Sequence, residues 1–173
     1  MRITIFGGTG SLGAYFAYRL VKAQHNVTII GRDNSSNLKQ IAEVGLTIKF
    51  HNETVFLPHS NFGYVGSYNY SLLNIRQDLV IISLKQPSFD INIAHQVMNL
   101  TGNASVIAVI SNGLPFYFLS GLNLTSKNHI EAVDPNGEIL RLMQNRQIMT
   151  IMPLMGSNIE SPGVIKVVNP QEK

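Results

Sequence analysis

The sequence predicts an α/β fold built on a doubly wound, mostly parallel sheet. Three observations carry this: β-branched runs of strand length recur along the chain, helical periodicities stand between them, and the first strand-to-helix junction is a cluster of glycines. Of the 173 residues, 45% are apolar and only 13% are charged, and no cysteine occurs. A chain of this length buries a full core without a disulfide or a structural metal. The composition excludes disorder, a disulfide scaffold, a zinc ribbon and a thiol nucleophile.

The elements follow in order. Arg2 to Phe6 is a short β-branched strand that stops at Gly7-Gly8-Thr9-Gly10-Ser11-Leu12-Gly13. From Ser11 the period changes, with Leu12, Tyr15, Phe16, Arg19-Leu20 and Ala23 at three- and four-residue steps, so a helix starts there. Val27 to Ile30 is a second buried strand ending at Gly31-Arg32, and the whole reads as a β-α-β unit. Ser35 to Val44 is expected as a helix, and Gly45–Phe50 and Thr54–Leu57 as strands of a hairpin across His51-Asn52-Glu53. Asn61 to Ile75 carries no clear period. Leu79 to Leu84 is a strand, followed by a helix capped by Ser88 with Ile91, Ala94, His95 and Met98 on one side. Ser105 to Ile110 is a further strand, and Leu114 to Asn128 a long connection. Asp134-Pro135 opens a helix through Met143. Strand-like runs at Ile148–Leu154 and Val164–Val168, joined through Ser161-Pro162-Gly163, complete the chain. One domain over residues 1–173 is expected, with no second domain in this sequence.

Charge and hydropathy narrow the partners. The net charge of +3 is spread singly, without a basic run, so nucleic acid is not expected. No apolar stretch reaches the roughly 18 residues of a membrane span. Met1-Arg2 runs directly into a strand, unlike a signal peptide, and a cytoplasmic location is expected. Asn-x-Ser/Thr triplets such as Asn34-Ser35-Ser36 and Asn123-Leu124-Thr125 are then chance matches in an Asn-rich chain.

The chemistry concentrates at the glycines. Gly8-x-Gly10-x-x-Gly13 follows a strand and opens a helix, the context a dinucleotide-binding loop requires. The first glycine makes the turn, the second lets backbone approach a pyrophosphate, and the third lets helix and strand pack closely. The phosphates would sit on free N–H groups of Gly8 to Gly13, Thr9, Ser11 and Leu12 included. The fold is therefore expected to be Rossmann-type. The cluster also reads as Gly7-x-x-Gly10-x-x-Gly13, as in short-chain dehydrogenases and nucleotide-sugar epimerases. Those enzymes need a Tyr-x-x-x-Lys pair. Here it occurs only as Tyr18 to Lys22 on the first helix, where a helix-face neighbour pair explains it better.

NAD binders place a carboxylate at the end of the second strand, on the ribose 2′-OH. That position is Gly31, with Arg32 next, which removes repulsion and offers a guanidinium to a 2′-phosphate. NADP(H) is the expected cofactor. Asp33 leaves an alternative open, since a shift of one or two residues brings it to the ribose; as a helix cap or first-turn acid it is explained without a ligand. Lys85 and Asn112 each lie just past the C-terminal end of a strand, where ligands of doubly wound sheets bind. A solvated loop lysine and an Asn-Gly turn are their plain alternatives. His25, His51, His59, His95 and His129 show no ligand spacing, so no metal is expected. Phe116, Tyr117 and Phe118 are expected to pack rather than to stack on a base.

Taken in order, Arg2-Ile3-Thr4-Ile5-Phe6 with Gly8-x-Gly10-x-x-Gly13, His25-Asn26-Val27-Thr28-Ile29-Ile30-Gly31-Arg32, Leu84-Lys85, Asn112-Gly113-Leu114-Pro115 and Ser161-Pro162-Gly163-Val164-Ile165 resemble the ketopantoate reductase (2-dehydropantoate 2-reductase) family over essentially the whole chain. The resemblance implies that Gly8 to Gly13 hold the pyrophosphate of NADPH, that Arg32 and Lys85 surround the 2′-phosphate, and that Asn112 lies by the nicotinamide and a 2-oxo acid. It further implies reduction of ketopantoate to pantoate in pantothenate synthesis, with a proton from a lysine in a second, all-helical domain. The sequence ends at Lys173, about where that domain begins in the family. Lys166 and Lys173 sit in the wrong element to replace that lysine, so no proton donor is identified. The expectation is cofactor binding with little or no turnover by these residues alone, and self-association through the face the helical domain would cover. A non-catalytic nucleotide-binding module and an epimerase or dehydratase fragment are the alternatives.

Overall fold

The computed structural model describes residues 1–68, 75–120 and 128–168. Six strands form one fully parallel sheet: β1 (Arg2–Phe6), β2 (Asn26–Gly31), β5 (Tyr64–Ser67), β6 (Leu79–Ile82), β7 (Val106–Ile110) and β8 (Gln147–Ile151). Their spatial order is β5-β2-β1-β6-β7-β8. Counted along the chain within this sheet, that is 3-2-1-4-5-6, the doubly wound order of dinucleotide-binding folds. Strands buried on both faces need continuous apolar runs, which is why RITIF, NVTIIG and VIAVI leave only their first residues near solvent.

A second, four-stranded sheet has the order β4-β3-β10-β9, from β3 (Gly45–Lys49), β4 (Thr54–Pro58), β9 (Gly156–Ser161) and β10 (Val164–Val168). The β3–β4 hairpin forms as expected, and β10 joins β3 in parallel and β9 in antiparallel pairing. Helix α1 (Ser11–Lys22) lies between the two sheets, and one apolar core unites Ile3, Ile5 and Ile29 with Ala14, Ala17, Leu46 and Ile165. The opposite face of the large sheet is covered by α3 (Ile91–Leu100) and α4 (Glu138–Met143), around Phe6, Val80, Val97, Phe116 and Met143.

Several elements differ from the sequence expectation. Helix α2 (Ser36–Glu43) is capped by Ser35, whose hydroxyl accepts from the Leu38 amide, so Asp33 lies in the preceding turn rather than at the cap or in the first helical turn. Ser88 lies in a 3₁₀ turn and Asp90 caps α3, accepting from the Ile93 amide at 2.9 Å. The buried side of α3 is Ile93, Ala94, Val97 and Leu100, and His95 faces solvent. The helix expected from Asp134 is broken by Asn136 and Gly137, both at positive φ. The buried Asp134 carboxylate spans that break and accepts from Ile139 and Leu140 at 2.9 and 2.8 Å. Strand β6 ends at Ile82 and β8 at Ile151, short of the expected Leu84 and Leu154. Strand β9 was not expected at all: Gly-Ser-Asn-Ile-Glu-Ser is a polar, exposed edge strand without alternation. Parts of the Asn61–Ile75 and Leu114–Asn128 connections, the Asn123 triplet and Lys173 lie outside the described residues.

Candidate nucleotide-binding site

The glycine loop is shaped by contacts that exclude side chains. A Cβ on Gly13 would lie 2.3 Å from the Gly7 carbonyl oxygen and 2.8 Å from the Gly8 Cα. Backbone cannot retreat from such a clash, so α1 approaches the loop this closely only with glycine there. Gly10 caps α1 without a side chain, so the amides of Ser11, Leu12 and Gly13 remain open at the positive end of a 12-residue helix. The other expected donors are not free: the Gly8 amide donates to the Ile5 and Ile30 carbonyls and the Gly10 amide to the Gly7 carbonyl at 2.9 Å. A helix start with open amides is suited to receive an anion.

Around it the loop is tied to the rest of the fold. Thr9 is buried, with its side chain against Gly31; a Cβ on Gly31 would meet Thr9 Oγ1 and Cγ2 at 2.6 Å. The position where NAD binders carry a carboxylate therefore has no room for a side chain while Thr9 holds this place. The Ser11 hydroxyl donates to the Ser157 carbonyl at 3.1 Å, so that side chain is tied to the small sheet. Buried Asn37, on α2, bridges the loop to the small sheet. Its Nδ2 donates to the Thr9 carbonyl, and its Oδ1 accepts from the Gly163 amide, in the β9–β10 turn where Gly163 has φ +76°.

Because all six strands run parallel, the glycine loop, Arg32, Lys85 and Asn112 leave the same edge of the sheet, from β1, β2, β6 and β7. At about 4.8 Å per strand the row extends roughly 14 Å. Arg32, Lys85 and Asn112 are exposed. The Ser111 hydroxyl closes the turn that presents Asn112, accepting from the Gly113 amide at 3.1 Å. Tyr68, which sequence reasoning passed over, also lies at this edge. Its ring stacks on Phe6 with centroids 6.2 Å apart and planes 9° apart. Burial raises its hydroxyl pKa, against smaller opposing effects of the nearby Arg32 charge and the Gly7 backbone.

Other candidates resolve as structural. Tyr18 packs on Phe50 at 5.7 Å and on Tyr15 at 6.4 Å. Phe116 is fully buried against Phe89, and Tyr117 packs edge-on to it, its hydroxyl 2.5 Å from Thr150 Oγ1; Phe118 stays exposed. Lys166 lies on β10 beside Glu160, and no group of three or more metal-ligating side chains occurs among the described residues. Beyond the end of β8, Met152 and Leu154 are 69% and 83% exposed, beside a groove of about 360 Å³ lined by Tyr15, Phe16, Arg19 and Phe50. No described helix is long and apolar enough to cross a membrane.

Sheet order, glycine loop and open helix terminus together define a Rossmann-type domain of the dinucleotide-binding class. The chain belongs to the ketopantoate reductase PanE/ApbA family, whose model matches residues 3–172. Among solved structures it is similar to a protein from Ralstonia solanacearum MolK2 described as a ketopantoate reductase, with 26% identity and a TM-score of 0.80 over 97% of this chain and 49% of that one. D-mandelate dehydrogenase with NADH and anilino(oxo)acetate shares the fold at 16% identity and a TM-score of 0.64, over 96% of this chain and 45% of that one. NADP⁺-bound yersinopine dehydrogenase does so at 9% and 0.62, over 97% of this chain and 38% of that one. The chain thus spans about half the length of the first of these structures, and less of the others. No curated protein sequence matches it significantly.

Proposed function

We propose that residues 1–173 form the NADP(H)-binding part of a reductase that converts a 2-oxo acid, ketopantoate by family, to the 2-hydroxy acid. The observation that carries the reading is the edge of the large sheet: an open helix terminus for the pyrophosphate stands next to a side-chain-free Gly31 and an exposed Arg32. NADPH supplies a hydride when bound. The backbone amides of Ser11, Leu12 and Gly13 hold its pyrophosphate, Gly10 lets it approach, Arg32 and Lys85 hold the 2′-phosphate, and Asn112 positions the nicotinamide and the 2-oxo acid. Asp33, in the turn after Arg32, is the competing ribose ligand.

The reaction also needs a proton on the ketone oxygen, and none of these residues is assigned to supply it. General acid assistance contributes about 10²- to 10⁴-fold, so residues 1–173 alone bind cofactor with turnover near background. The exposed Met152 and Leu154 make self-association of this chain the accompanying expectation, and a cytoplasmic setting suits such a reductase. Calorimetric titration tests the core of the reading. NADPH binding clearly tighter than NADH supports it, and equal affinities transfer the ribose to Asp33. Following NADPH absorbance with ketopantoate tests the rest: brisk turnover lost in Asn112→Ala would reveal a proton donor within this chain.

A further inference from the structure

We propose that Tyr68 is a specificity-determining residue of the nucleotide site, its hydroxyl donating to the 2′-phosphate beside Arg32. The inference rests on the NADP(H) reading above and adds a ligand to it.

The placement follows from strand register. Ser67, the last residue of β5, pairs with Gly31, the last residue of β2. Tyr68 and Arg32 are therefore the next residues of two adjacent parallel strands, leaving the sheet side by side at the ligand edge. Phe6 ends β1 and pairs with Ile30 on β2. For the Tyr68 ring to stack on Phe6, it must reach from the outer strand across β2 to β1. It thus lies across the strand ends where a doubly wound sheet receives the adenosine half of its ligand. Packing against the core that contains Phe6 and Ile30 fixes the ring, so its orientation precedes any ligand.

The hydroxyl has the chemistry the position needs. It stands near the Arg32 charge. A phenol has one proton to give and lone pairs to spare. Burial keeps it in the neutral, proton-bearing form, so it donates to an anion rather than repelling it. A guanidinium and a hydroxyl on neighbouring strand ends form a pair of donors suited to a phosphate monoester and of little use to an unmodified ribose.

The test uses adenosine 2′,5′-bisphosphate and AMP as probes, titrated calorimetrically into residues 1–173 and two variants. Tyr68→Phe keeps the ring stack and removes only the hydroxyl. It is expected to weaken the bisphosphate about tenfold, as for a hydrogen bond to a charged group, and to leave AMP unchanged. Tyr68→Ala is expected to weaken both probes. A Tyr68→Phe variant that binds the bisphosphate as wild type does, or that loses both probes equally, overturns the assignment. Failure of the wild type to prefer the bisphosphate over AMP is a different result, and it overturns the NADP(H) reading together with this ligand.

Discussion

Asn37→Ala should unfasten the glycine loop from the small sheet. The buried carboxamide satisfies the Thr9 carbonyl on one side and the Gly163 amide on the other. Alanine leaves both backbone groups without that partner, and an unsatisfied buried polar group costs about 1–3 kcal/mol. Alanine's better helix propensity returns about 0.5 kcal/mol on α2. The expected net loss is about 2–5 kcal/mol, or a melting midpoint lower by about 5–15 °C for a chain of this size. Urea unfolding followed by far-UV circular dichroism measures the first quantity directly. Asn37→Asp separates the two bonds: one oxygen still accepts from Gly163, but the other faces the Thr9 carbonyl, so neither replacement restores stability at neutral pH. NADPH titration at a temperature where Asn37→Ala is folded should also show weaker binding, because the loop amides lose their fixed placement. A stability loss under about 1 kcal/mol in both variants would refute the bridging role.

Arg32→Ala should weaken NADPH about tenfold to a hundredfold and leave NADH nearly unchanged, since a charge-assisted contact is worth about 1.5–3 kcal/mol; equal losses on both cofactors would remove Arg32 from the 2′-phosphate. Gly13→Ala and Gly113→Ala form a contrasting pair: the first drives a Cβ into Gly7 backbone and should abolish nucleotide binding, the second adds a methyl where nothing lies within 4 Å and should be silent in thermal unfolding and binding. Glu160 is held below the usual carboxylate value, first by its hydrogen bond from Lys49 and then by the Lys49 and Lys166 charges. A folded-state value below the unfolded one means that the pair's support is present above the unfolded pKa and is lost as pH falls through the lowered folded value. Titration by NMR should show the Glu160 midpoint rising toward the ordinary range in Lys49→Met.

The central strands of the large sheet, β2, β1, β6 and β7, were legible because they are buried on both faces and so carry unbroken apolar, largely β-branched runs. Position within it was legible too: Arg32, Lys85 and Asn112 each follow such a run, and parallel pairing brings them to one edge. What escaped lies where burial does not dictate sequence. Strand β5 is four half-buried residues including a glycine, and β9 is polar and exposed, so neither shows a period. The ends of α2 and α3 turned on which of two nearby polar residues caps, a choice settled by helix packing rather than by residue type. Asn37 and Tyr68 belong to no motif. Their signals were present but weak: an asparagine on the buried side of an amphipathic helix, and an aromatic residue in a segment otherwise too polar to need one.

The pairing of β10 with β3 joins segments far apart in the sequence, Val164 beside Thr47. Contacts this distant in sequence are slow to close, because the intervening loop entropy must be overcome first. On a ribosome, β1, α1 and β2 emerge long before the turn that carries Gly163. Until that turn arrives, Asn37 has only half of its hydrogen bonding and the Ser11 hydroxyl lacks Ser157. The glycine loop, although encoded between Gly7 and Gly13, is therefore among the last parts of the molecule to reach its final shape, and a ribosome-bound chain stalled before residue 156 should carry the glycines without their finished surroundings.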